Sequence, residues 1–198
     1  MELIQVKTAK EVEKKILIKI IDALKDGKVV VCPTDTIYGI LADATQKDAV
    51  QKIFKIKGRL KAKPLPLFVA NLKAAKRIAR INKMQEQEIK RFWPGKITLV
   101  FKRRPGYKIF GVDRKSIAIR IPDYYLLNAV LRKASFPLVQ TSVNISGQKP
   151  LKSGRAIFKK FKGSKYRPDL IIDIGLLSKG KPSVILDLRV LPPRILRA

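Results

Sequence analysis

VVVCPTDTIYG, residues 29–39, is the stretch that decides the fold class. Its β-branched opening, residues 29–31, reads as a buried strand because branched side chains fit a pleated sheet. Pro33 has no N–H for a ladder hydrogen bond, so the strand stops and a polar loop begins. Loops that leave buried strands are where rigid scaffolds carry ligand sites.

Upstream, Thr8 and Glu11 have capping-box spacing, and Val12, Ile16, Ile20 and Leu24 recur at helical intervals until Gly27. This predicts a helix over residues 9–25. Downstream, Asp48 opens a second apolar periodicity through Val50, Ile53, Phe54 and Ile56, with Gly58 placed to end it. A strand is predicted at 67–69, helical segments at 72–79 and 84–92, a turn at Pro94 and Gly95, and strands at 97–101 and 116–121. There follow a helix over 124–133 capped by Asp123, a strand at 138–142, a turn-rich loop at 143–147, a helix at 156–161, and strands at 170–174 and 183–188. Alternating strands and helices predict the α/β class, and 198 residues with 46% apolar content predict one domain over 1–198.

No apolar run approaches the roughly 20 residues of a membrane span, and the N-terminal sequence enters a charged helical pattern instead of a signal peptide. A cytoplasmic protein is expected, with no membrane partner. The single cysteine, Cys32, sits in an apolar run and is assigned to packing. With no histidine, Ser-His and Cys-His catalysis and zinc chemistry are poor fits. The net charge of +29 is concentrated in stretches, and residues 49–85 and 124–168 contain no acidic side chain. Such stretches attract polyanions, without choosing between ATP and tRNA.

Four segments carry chemistry: PTDTIYG at 33–39, KGR at 57–59, SIAIRIP at 116–122 and TSVNISG at 141–147. Each alone has a structural reading. Lys57 and Arg59 read as surface charge, Ser142 and Asn144 as turn formers, Thr34 and Asp35 as a hydrogen-bonded loop scaffold. Tyr38 is assigned to the cavity floor and Trp93 to a turn anchor, outside the site.

Together and in this order, with WPGKITLV, SVILDL and PPRILR added, these segments resemble the YrdC-like threonylcarbamoyl-AMP synthases over nearly the whole chain. The resemblance implies the YrdC-like fold, a twisted mixed β-sheet with flanking helices around a large basic cavity. It also implies formation of L-threonylcarbamoyladenylate and pyrophosphate from L-threonine, bicarbonate and ATP, with magnesium on the phosphates and no metal ligand set in the protein. That reaction requires no enzyme nucleophile; it requires positioning, and positive charge where the phosphoryl transition state spreads negative charge. Lys57 and Arg59 are the candidates for that catalytic charge. By resemblance, Thr36, Phe68, Arg120, Ser142 and Ser183 border threonine. Lys57, Arg59, Lys63, Ser116, Asn144, Lys152 and Arg197 contact ATP.

Lys63 stands where the family commonly has asparagine, and Phe68 where it has a histidine near threonine, which makes that pocket more apolar. Val143, where alanine is usual, is tolerated if its side chain enters the core. Implied partners are downstream proteins that transfer the threonylcarbamoyl group to tRNA. The alternative function is a catalytically weakened module that holds tRNA or double-stranded RNA in the same cavity, motivated by the charge and by Phe68. A third reading, a hydrogenase-maturation carbamoyltransferase domain, lacks the accompanying acylphosphatase-like and zinc-containing segments.

Overall fold

The computed structural model describes residues 1–9, 12–58, 63–177, 180 and 182–198. Its strands are β1 (Glu2–Gln5), β2 (Val30–Cys32), β3 (Gly39–Asp43), β4 (Leu67–Phe68), β5 (Ala79–Arg80), β6 (Ile97–Arg103), β7 (Ser116–Arg120), β8 (Leu138–Ser142), β9 (Leu170–Asp173), β10 (Val184–Asp187) and β11 (Arg194–Arg197). The helices are α1 (Lys14–Lys25), α2 (Lys47–Lys57), α3 (Leu72–Ile78), α4 (Lys83–Ile89), α5 (Tyr125–Ala134) and α6 (Gly154–Phe161).

The strands form one mixed sheet in the order β1-β9-β2-β3-β8-β4-β7-β6-β10-β11, with β5 added to β6. Strand alternation feeds two cores. Val29, Val31, Ile40 and Ala42 enter the larger one with α2 and α6 residues. Val30, Cys32, Leu41 and Phe68 enter the other, against α1 and α5. Successive side chains on a strand point to opposite faces, which is why both helix layers are served by the same few strands. Cys32 is fully buried, and desolvation pushes its thiol up to about 12, in keeping with a packing role.

Gly58 ends α2 in the left-handed conformation, φ 55°, as its position predicts. Helix α1 differs from expectation. It starts at Lys14 after Glu13, which makes no side-chain cap bond, and Glu11 lies outside the described residues. The reason is β1: residues 2–5 pair in parallel with β9, and the Val6 N–H donates to the Asp173 carbonyl, drawing the chain into the sheet before the helix begins. Nor does Asp123 cap α5; Tyr124 is its N-cap, without a side-chain bond.

Candidate functional site

Two adjoining cavities share the PTDT loop. The first, about 350 Å³, is lined among others by Thr36, Lys57, Lys63, Arg120, Ser142, Asn144, Ser183 and Arg197. The second, about 690 Å³, takes Asp35, Lys96, Tyr124 and Gly180, and shares Thr34, Thr36 and Pro182 with the first. Among the described residues, no carboxylate lines the first cavity.

The loop is shaped by Thr34. Its Oγ1 accepts from the N–H groups of Thr36 (3.0 Å) and Ile37 (3.2 Å), donates to the Ile37 carbonyl (2.7 Å) and lies 2.9 Å from the Thr36 hydroxyl. This is the local side-chain-to-backbone bonding expected of threonine in a turn. Behind it, the Tyr38 hydroxyl, 3.0 Å from Asp173 Oδ1, donates to the Gly175 carbonyl (2.8 Å) and accepts from the Ile174 N–H (3.0 Å). Burial raises the Tyr38 phenol well above its usual range, so the ring stays a neutral anchor. Gly180 closes over the loop: a Cβ there would fall 1.4 Å from the Thr36 carbonyl oxygen, so any side chain would displace the loop.

Helix α2 delivers Lys57 to the exit of β8. Although a solvent- or ligand-facing charge was expected, its side chain is buried, and Nζ donates to the Ser142 carbonyl (2.7 Å), the Asn144 carbonyl (3.0 Å) and Asn144 Oδ1 (2.9 Å). Ser142 Oγ donates to the same Oδ1 (2.6 Å), and Asn144 Nδ2 donates to the carbonyls of Ile145 and Gln148. The Lys57, Ser142 and Asn144 side chains thus form one network that holds the β8 exit loop against α2. Val143, between them, is fully buried in the larger core, which explains how the added bulk is accommodated.

Arg120, at the end of β7, is 1% exposed. Its Nε donates to the Gly95 carbonyl (2.8 Å), its terminal nitrogen pairs with Asp35, and its guanidinium lies 5.5 Å from the Phe68 ring centroid. Desolvation lowers the arginine's pKa, and the Asp35 charge acts in the opposite sense. Neither Asp35 oxygen completes a hydrogen bond of good geometry with a described residue, so charge attraction carries this buried contact. Asp35, read from sequence as scaffold, is therefore a member of the site's charge system. Its cue was adjacency to Thr36; its partner lies 85 positions away and leaves no local signal.

Across the cavity, the Ser183 hydroxyl lies 3.0 Å from that of Thr98, and Arg197 donates from Nε to the Ser183 carbonyl (3.2 Å). The β10–β11 hairpin brings these residues together. Burial lowers the pKa of Arg197.

Three expected site residues stand elsewhere. Phe68 is fully buried in the core behind Arg120 and does not line the cavity, because the alternation along β4 turns it toward α1 and α5. Ser116 lies at the opposite end of β7 from Arg120, roughly 13 Å away by the strand rise, and its hydroxyl donates to Asp113. Lys152 is exposed and does not line the cavity. Arg59 lies outside the described residues.

The family model for Sua5, YciO and YrdC, described as telomere recombination, matches residues 22–198. The chain belongs to this family. Within it, the chain is 36% identical over 177 residues to a Methanocaldococcus jannaschii protein provisionally named a threonylcarbamoyl-AMP synthase, covering 89% of this chain and 82% of that one. It is 33% identical to a Pyrococcus abyssi threonylcarbamoyl-AMP synthase, over 88% of this chain but 51% of the longer relative. The crystal structure of P. abyssi Sua5 complexed with L-threonine superposes with a TM-score of 0.87 at 30% identity, covering all of this chain and 57% of the other. The α/β architecture with one mixed sheet is thus the Sua5/YciO/YrdC fold.

Among the described residues, no cluster of three or more histidine, cysteine or acidic side chains could hold a metal, and the first cavity offers only cations, hydroxyls, amides and carbonyls. A protein-borne magnesium site does not fit this donor set. Magnesium bound to triphosphate, entering as substrate, does. No helix among the described residues is long and apolar enough to cross a membrane.

Proposed function

We propose that this chain is an L-threonylcarbamoyladenylate synthase: a cytoplasmic nucleotidyltransferase, acting through residues 1–198 as one unit, that uses L-threonine, bicarbonate and magnesium-bound ATP. The observation that carries the reading is the cation-lined, carboxylate-free cavity bordered by the Lys57, Ser142 and Asn144 network, joined through the PTDT loop to a second compartment. A triphosphate suits the first compartment and an amino acid the loop between them. The name threonylcarbamoyl-AMP synthase carried by relatives, and a related structure solved with L-threonine, support the reading.

The chemistry follows from charge. The threonine amine condenses with bicarbonate to a carbamate and water; a carbamate oxygen then attacks the α-phosphorus, and pyrophosphate leaves. Lys63 and Arg197 are placed to draw the phosphates, and the site supplies position and preorganised positive charge instead of a nucleophile. Lys57 acts chiefly by fixing Ser142 and Asn144, since its ammonium is bonded to protein oxygens. Thr36 and Ser142 offer hydroxyls to threonine. Asp35, buried beside the second compartment, is the acceptor this reading assigns to threonine's amine. Arg59 retains its role as a phosphate cation, while Phe68 acts on threonine only through the arginine it backs. Ser116 and Lys152 contact ATP only if the bound nucleotide reaches beyond the cavity. Downstream, the product passes to proteins that transfer it to tRNA.

The test is pyrophosphate release from ATP with magnesium and bicarbonate, comparing L-threonine, L-serine and no amino acid, with the adenylate identified by mass. Release that requires threonine and bicarbonate is expected. Folded protein that releases none would sink the reading and favour an RNA-holding module in the same cavity.

A further inference from the structure

The acid-free stretches of the sequence, which supply Lys57, Lys63, Ser142 and Asn144 to the site just described, meet a second time away from it. Antiparallel pairing of β4 with β8 places Pro66 and Ser142 at one end and Val69 and Pro137 at the other. The first pair lines the ligand cavity; the second lines a separate cavity of about 230 Å³ between α3 and α5, and the two cavities share no residue. This smaller cavity is lined by Lys73, Arg77 and Arg132, and by Tyr107 and Phe136, with no carboxylate among the described residues. Helix α3 runs directly into β5, where Arg80, Lys102 and Arg104, beside the already paired Arg189, line a further cavity of about 310 Å³, again with no carboxylate among the described lining residues.

None of these six cations forms a hydrogen bond through its side chain, or an ion pair, with a described residue. Of the acidic residues near this edge, Glu86 is already paired with Lys76 and Asp187 with Arg189. The local geometry makes matters worse for the free protein. Lys73 and Arg77 are i,i+4 neighbours on α3, and Arg80 stands directly opposite Lys102 in the β5–β6 register. Like charges in either relation destabilise a fold unless an anion lies between them.

We propose that this face binds the phosphate backbone of a single-stranded RNA segment, with one base entering the smaller cavity against Tyr107 and Phe136. A row of cations spread along a helix and a hairpin fits a repeating phosphate better than a single anion. Aromatic rings beside them give bases a stacking surface without sequence preference. The smaller cavity lies below the roughly 300–1,000 Å³ of clefts that enclose drug-sized ligands, so it suits one ring system. This site does not depend on the synthase reading and is independent of the cavity that reading uses.

The experiment is fluorescence anisotropy with a labelled 20-nucleotide single-stranded RNA of mixed sequence, titrated at several salt concentrations. Six phosphate contacts predict a slope of log affinity against log salt of about −4. The variant Arg77→Ala/Arg80→Ala/Arg104→Ala is expected to flatten that slope by about 2. The variant Lys159→Ala/Lys160→Ala/Lys162→Ala removes equal charge from around α6 and is expected to leave it nearly unchanged. Tyr107→Ala is expected to weaken binding roughly tenfold with the slope retained, as stacking is lost without charge. Thermal melts establish that each variant is folded, and pyrophosphate release by the first triple variant is expected to match the parent. Equal flattening by both triple variants would show that net charge alone binds RNA and overturn the site. So would absence of RNA binding, or a preference for phosphatidylserine vesicles over RNA with the same dependence on these arginines.

Discussion

In the first cavity three of the cations are held by the protein. Lys57 donates to three oxygens, Arg120 is tied to Gly95 and Asp35, and Arg197 is bonded to Ser183. On the α3–β5 face, Arg77, Arg80 and Arg104 are exposed, and their side chains have no described partner. The same residue types serve both regions, and burial makes the difference. A buried charge must be compensated by the fold, whereas an exposed one is solvated and available to a ligand. Lys57, Arg120 and Arg197 therefore build the cavity as well as line it.

The largest effect that would sharpen this contrast is at Arg120. Arg120→Ala, or Asp35→Ala, leaves its partner buried and uncompensated and is expected to cost about 3–5 kcal/mol in urea unfolding. A double replacement by apolar residues should cost less than the two single changes added together. Strict additivity would show that the pair is not coupled. Lys57→Met comes next. It strands acceptors of Ser142 and Asn144, so a loss on the order of 3 kcal/mol is expected together with loss of adenylate formation. A variant that loses activity at unchanged stability would restore Lys57 to a purely catalytic role.

Lys63, exposed at the rim of the cavity, is the internal control. Lys63→Ala is expected to raise KM for ATP about tenfold, equivalent to about 1.4 kcal/mol, with no change in melting temperature and none in KM for threonine. A fall in stability would show that Lys63 belongs with the held cations. The smallest effect has the opposite sign. Arg80→Ala relieves the like-charge pair with Lys102 and should stabilise the free protein by a few tenths of a kcal/mol at low salt, fading as salt rises. Destabilisation there would mean that the face has its own structural partners.

Much of this organisation was legible along the chain. β8 occupies the predicted residues, α2 stops at Gly58, and residues 143–147 form the predicted turn-rich loop. These features rest on local chemistry: β-branched runs, a glycine in a left-handed turn, threonine and asparagine bonding nearby backbone. β1, β3, β5 and β11 were not legible. They are two to five residues long, and β1 exists because β9, far along the chain, offers it an edge. The placement of Phe68 failed for a related reason. Position in a motif does not say which face of a two-residue strand a side chain takes, and here the pleat sends it to the core.

The sequence by itself determined the class, the order of the segments and where charged and hydroxyl side chains cluster in motifs, because motif chemistry and periodicity act over a few residues. Only the tertiary structure decided which charges are spent on the fold. Lys57 meets Asn144, Asp35 meets Arg120, and Arg77 meets no described carboxylate. Pairing depends on distance in space and on exclusion of water, and strands that are neighbours in a mixed sheet are often distant in sequence.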